Sequence, residues 1–175
     1  MKPKMNFDPD SDQVMNDLFS TAVHEAGHIV VGDALGQRFT KAAIHGPYEG
    51  GYVYPSRRTP LAPIEECTIL SAGFMASGMM KGRKFCLETS ATDHELIEGI
   101  LKMFFKGKSQ RDLIVAHCRD QAFQILSDRW QQVMEVAGDL FVHGRLDAKQ
   151  IKASLERGRI KYLEHNLKPK PRSPK

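Results

Sequence analysis

Apolar residues return at three- and four-residue intervals between positions 16 and 35. Leu18, Ala22, Ala26, Ile29, Val30 and Ala34 share one face, and Gly36 stands where a helix C-cap belongs. Before them, residues 1–14 are Pro, Asp, Ser and Asn without a period, which predicts a flexible leader. Residues 39–44 and 52–54 are β-branched or aromatic and are interrupted by Gly46-Pro47, Gly50-Gly51 and Pro55, the marks of short strands. Pro60 and Pro63 introduce a helix over 64–80, rich in Ala, Gly and Met and closed by Gly82. Ser90 and Thr92 open a third helix. There Thr92-Asp93-His94-Glu95 reads as a capping box, and Leu96, Ile97, Ile100, Leu101 and Phe104 as the apolar stripe. A long helix is predicted over 111–137, with Gly138 at its end, and a short one over 147–157. The pattern predicts a mostly α fold with one small β-hairpin or sheet: a domain over 15–160 between the leader 1–14 and a basic, Pro-rich tail 161–175.

The 175 residues suit one domain, and 41% apolar with 26% charged residues excludes wholesale disorder. No stretch approaches the roughly 18 apolar residues of a membrane span, and residues 1–13 lack the apolar region of a secretory signal. Cys67, Cys86 and Cys118 form no CxxC pair, so a disulfide framework is not expected and a reducing cytoplasm is. The net charge of +4 is unevenly spread. Between positions 152 and 175 eight Lys/Arg stand against Glu156 and Glu164, leaving −2 for the rest. The body of the domain is therefore no nucleic-acid surface, and the basic end reads as a solvated tail.

Chemistry concentrates in Thr21-Ala22-Val23-His24-Glu25-Ala26-Gly27-His28, an HExxH pattern inside the first predicted helix. His24 and His28 lie one turn apart on one face, with about 6 Å between Cβ atoms. Both imidazoles can thus reach one Zn²⁺ at about 2.0–2.1 Å. Glu25 is placed to take a proton from a metal-activated water as it attacks a carbonyl. The bland alternative is two surface histidines on an ordinary helix. Catalytic zinc takes three protein ligands, and Ala34 stands where HExxHxxGxxH would supply the third. The remaining candidates are Asp93, His94 and Glu95 at the start of the third helix, then His45, His117 and His143.

The segment from Thr21 through Ile29-Val30-Val31 resembles the zinc helix of the FtsH-type ATP-dependent metalloproteases, and the resemblance runs in order over 18–155. Gly51-Tyr52-Val53-Tyr54-Pro55 is similar to that family's substrate-side strand. Ile69-Leu70-Ser71-Ala72-Gly73-Phe74-Met75-Ala76 resembles its small-residue helix, with Phe74 and Ser77 where the family carries Arg and Glu. Ser90-Ala91-Thr92-Asp93 resembles the segment of the aspartate ligand, although His94 replaces an apolar residue. The resemblance implies a zinc endopeptidase with Zn²⁺ on His24, His28 and Asp93, Glu25 as general base, and substrate along Gly51, Tyr52, Val53 and Tyr54. Residues four, seven, eleven and twelve after Asp93 are Ile97, Ile100, Phe104 and Phe105, whereas counting from Glu95 lands on Lys102 and Lys106. Helix burial therefore favours Asp93.

The family's membrane spans and ATPase module have no counterpart here. Gly107-Lys108-Ser109 only mimics a P-loop end and reads as a polar loop, since Lys102 replaces the leading Gly. The expectation is a peptidase domain that cuts unfolded or flexible chains and needs a separate unfoldase for folded ones; an oligomer is left open. Two competing readings are a non-catalytic zinc-binding interaction module and an ImmA-type regulatory protease with one partner. Glu25 argues against the first, because a structural site has no use for an unligated carboxylate beside the metal. Trp130, Met75, Met79 and Met80 read as core, the cysteines as buried thiols, and His45, His143 and His165 as surface.

Overall fold

The computed structural model describes residues 9–46, 49–56, 60–81 and 91–166. These form α1 (Pro9–Ala34), β1 (Phe39–Ile44), β2 (Gly51–Pro55), α2 (Pro63–Lys81), α3 (Ala91–Phe104), α4 (Lys108–Asp128), α5 (Trp130–His143), β3 (Arg145–Asp147) and α6 (Ala148–Asn166). The fold is mostly helical with one small antiparallel sheet. Residues 1–8 of the expected leader, Pro47, Gly82, Cys86, Ser90 and residues 167–175 of the tail lie outside the described residues.

Helix α1 begins at Pro9, well before the apolar period starts. Pro suits the first helical position. Gln13 and Asn16 face water and leave no apolar period to read. The other end matches expectation. Gly36 has φ of 84°, Gln37 N–H donates to Gly32 O at 2.8 Å and Gly36 N–H to Asp33 O at 3.2 Å, which together make a Schellman cap.

α1 is the element around which the others assemble, touching α2, α4, α5, β1 and β2. Residues 22–32 are buried without interruption. The main core joins Val23, Ile29 and Val30 of α1 to Leu126, Val133, Leu140 and Leu155. A smaller cluster of Cys67, Ile97, Leu101, Val115 and Cys118 ties α2, α3 and α4 together. Cys67 and Cys118 are free, and burial pushes the Cys67 thiol up to about 12. Trp130, Met75, Met79 and Met80 pack against the main core half-buried.

The expected helix over 111–137 is two helices. Arg129 leaves helical geometry (φ −118°, ψ 22°), its N–H shared between Ile125 O and Leu126 O. Its guanidinium donates to Asp33 Oδ2 on α1 at 3.3 Å. No Gly or Pro marks the break. The cause is tertiary: α4 packs on α2, while α5 packs on α1 and α6, and one straight helix cannot do both. Gly138 therefore lies inside α5, which ends instead at Gly144 in the left-handed region. Gly107 is the N-cap residue of α4, with Lys108 and Ser109 in its first turn rather than in a loop. α6 starts as predicted but runs to Asn166. Asp147 Oδ1 accepts the N–H groups of Lys149 and Gln150 at 2.8 and 2.9 Å, and Gln150 Oε1 accepts the Asp147 N–H, a reciprocal cap.

α3 departs most from its predicted packing. It begins at Ala91, so Thr92 is already helical and not the cap. Of the predicted stripe only Ile97 and Leu101 are buried; Leu96 and Phe104 are exposed by half or more. The sheet has the order β2-β1-β3, with Ala43 opposite Tyr52 and Ala42 opposite both Val53 and Leu146. β3 was not foreseen, being three residues long. Among the described residues no helix is long and apolar enough to cross a membrane.

α5 and α6 touch backbone to backbone at Gly158, where an added Cβ would lie 2.4 Å from Gln132 Cα. Gly158→Ala should therefore cost about 1–3 kcal/mol by overpacking, a Tm loss of roughly 2–10 °C at this size. At Gly99 of α3 an added Cβ meets nothing within 4 Å. Gly99→Ala should gain about 0.5–1 kcal/mol. Thermal melts of both variants check the contrast.

Candidate metal centre

Three polar side chains project from the buried stretch of α1. His24, Glu25 and His28 are exposed by only 6%, 5% and 4%, so each needs partners inside the protein. α2 supplies them. The His28 Nδ1–H donates to the main-chain oxygen of Ile69 at 2.7 Å. A carbonyl can only accept, which puts the proton on Nδ1 and leaves the Nε2 lone pair free. The Nδ1 atom of His24 lies 3.4 Å from Ser77 Oγ.

The remaining nitrogens converge. His24 Nε2 and His28 Nε2 are 3.1 Å apart, and Asp93 Oδ2 of α3 lies 3.0 Å from the first and 3.2 Å from the second. Two imidazole nitrogens and a carboxylate oxygen are a donor set of catalytic zinc sites. Their separations are close to the edge of about 3.3 Å that a tetrahedron with bonds of 2.0–2.1 Å requires. The floor of the trio is Gly73. A Cβ there would lie 2.4 Å from His24 Nε2 and 2.5 Å from His28 Nε2, so only glycine leaves that space open. The residues fit a zinc ion.

Electrostatics describe the same demand for positive charge. Burial opposes protonation of His28, but the hydrogen bond and charge of Asp93, with help from Glu25 and the Ile69 carbonyl, hold its pKa at about 9. Burial pushes Asp93 upward, yet the hydrogen bonds and charges of both histidines hold it well below the usual carboxylate range. Glu25 is raised, because desolvation outweighs the pull of His28 and His24.

Of the other third-ligand candidates, His94, Glu95, His117 and His143 are exposed. His45 is exposed too, with its ring 5.2 Å from Tyr52. It is a surface residue as expected, and it lies close enough to Glu25 to act weakly on its charge.

Strand β2 begins directly over Glu25. A Cβ on Gly51 would lie 2.7 Å from Glu25 Cγ and 2.8 Å from Ala43 O. The open side of this glycine is thus filled by the protein itself and not left for a peptide. Among the described residues β2 pairs on one side only. The His45 N–H donates to Gly50 O, which sets the phase of the ladder: Tyr52 and Tyr54 turn their main-chain groups toward β1, Gly51 and Val53 toward the free edge.

Sequence reasoning did not assign Gly73, Ser77 or the Ile69 carbonyl to the site. The available signal was spacing, since Gly73 and Ser77 are one turn apart on α2 as His24 and His28 are on α1. Searches of protein-family models and of curated proteins find no match to the chain.

Two outcomes follow from this geometry. His28→Ala, Asp93→Ala and Gly73→Ala should each lose bound zinc by metal analysis, while His94→Ala and Glu95→Ala keep it. For the metal-free chain, the raised His28 contributes stability that is complete below 6.5 and lost as pH rises toward about 9. The lowered Asp93 contributes stability that is lost as pH falls below 3.8. Melts of chelator-treated protein should therefore show highest stability between these limits, and Asp93→Asn should flatten the alkaline side.

Proposed function

We propose that the protein is a zinc-dependent endopeptidase of FtsH-like type that hydrolyses unfolded or flexible protein segments. The observation that carries this reading is the meeting of His24 Nε2, His28 Nε2 and Asp93 Oδ2 within 3.2 Å of one another, beside the buried Glu25. His24, His28 and Asp93 would hold the ion. Zinc, when bound, supplies Lewis acidity that lets water act as a nucleophile near neutral pH. The Glu25 carboxylate then accepts the proton of the attacking water and delivers it to the leaving amine. In the metal-free chain burial holds Glu25 above the ordinary carboxylate range, which favours a group that takes a proton and passes it on.

The free edge of β2 supports an extended substrate. Main-chain groups of Gly51 and Val53 would pair with a peptide laid alongside, and pairing of this kind accepts many sequences. Because Gly51 rests on Glu25, such a peptide would run past the carboxylate. Folded domains are stable by about 5–15 kcal/mol, and no nucleotide-binding loop stands among the described residues to supply work against that. A separate unfoldase would be the partner for folded substrates, with the cytoplasm as the compartment.

Glu25→Gln should retain zinc and lose about 10²–10⁴-fold in kcat. Wild type should cut unfolded casein and spare a stable folded domain, with or without ATP. Digestion of the folded domain stimulated by ATP would overturn the reading. Val53→Pro removes an outward N–H and spares the β1 ladder, so peptide KM should rise at constant zinc content; unchanged KM would remove the edge from the substrate site.

A further inference from the structure

The two histidines are not held alike. His28 Nδ1 meets a main-chain carbonyl at 2.7 Å, which no side-chain replacement can delete. His24 Nδ1 meets a serine hydroxyl at 3.4 Å. Both contacts come from α2, and Ser77 is 3% exposed, so no bulk water competes for the ring. We infer that Ser77 is the positioning residue of the metal centre: its Oγ accepts the His24 Nδ1–H, and so turns the Nε2 lone pair toward His28 Nε2 and Asp93 Oδ2. This rests on the reading of the trio as a zinc site.

The physical reason is orientation. An imidazole has two nitrogens and can rotate about its bond to Cβ, and a ligand that is free to turn must be ordered each time the site assembles. A hydrogen bond on the far nitrogen fixes both the tautomer and the ring plane, and loss of such a partner typically weakens metal affinity about 10–100-fold. The longer contact on His24 leaves this ring the less firmly held of the two, so the site's affinity depends on the one hydroxyl that mutation can remove.

Ser71 provides an internal control. It lies on the same helix, is 2% exposed, and its Oγ has no hydrogen-bond partner among the described residues. Ser71→Ala and Ser77→Ala each delete one buried oxygen from α2 and differ in whether that oxygen touches a histidine.

The test uses the full chain, stripped of metal and titrated with Zn²⁺ against a chromophoric chelator, and separately loaded with Co²⁺ to record its visible d–d bands. Ser77→Ala should weaken the zinc Kd about 10-fold or more and alter the cobalt bands, with its metal-free Tm close to wild type. Ser77→Thr, which keeps the hydroxyl, should restore both readouts. Ser71→Ala should stay within about twofold of wild type, having no ligand to orient. A Ser77→Ala protein with wild-type Kd and cobalt spectrum would overturn the role of Ser77 and leave the metal centre standing. Equal losses in Ser71→Ala and Ser77→Ala would also overturn it, as packing would then explain both. A wild type that takes up neither metal would overturn the metal centre itself.

Discussion

The structure depends on how closely α1 and α2 approach. At Gly27 an added Cβ would stand 2.7 Å from the Ala72 carbonyl oxygen and 2.8 Å from Ala76 Cβ. Small residues on both helices allow the backbones to meet, and only at that separation can side chains from α1 reach main-chain and hydroxyl groups of α2. His28 finds the Ile69 carbonyl and His24 the Ser77 hydroxyl because the interface is this thin. Wider packing would leave both histidines buried without partners, a cost of several kcal/mol. The apolar core and the polar trio are thus two faces of one helix contact.

The same contact explains how three polar groups survive in a helix buried on all sides. Burying an isolated charge is prohibitive, and burying one with partners is tolerable. Asp93 brings negative charge, the imidazoles answer it, and Glu25 stays at the edge of the group under β2. The arrangement is rigid where it needs to be: the backbone of α1 is fixed by Val23, Ile29 and Val30 in the main core, and the rings are fixed by α2.

What could be read from the chain follows the range of each signal. The HExxH spacing, the apolar period of residues 18–34 and Gly36 are local, and the fold bears out the helix and its cap. Whatever two distant segments decide together was illegible. Arg129 breaks a helix because Asp33, 96 positions earlier, binds it and because α5 turns to another neighbour. β3 forms from three residues because β1 offers them a partner. Leu96 and Phe104 look like core by period and face water, since α3 packs chiefly on α2 and α4 and meets α1 through Asp93. Within the site, the pair on α1 was visible as a motif. Gly73 looked like one small residue among several, because its meaning lies in what approaches it.

The anchoring of α3 has a consequence for how the trio behaves in time. α3 is held through two buried side chains, Ile97 and Leu101, fewer than any other described helix, whereas His24 and His28 sit in the most deeply packed one. Proteins open in parts, and parts with few buried contacts open at lower free energy than the whole. Detachment of α3 withdraws the Asp93 carboxylate and leaves both imidazoles in register on α1. On that basis a local excursion of α3 breaks the complete donor set sooner than global unfolding does, and hydrogen exchange in α3 should run ahead of exchange in the core of α1.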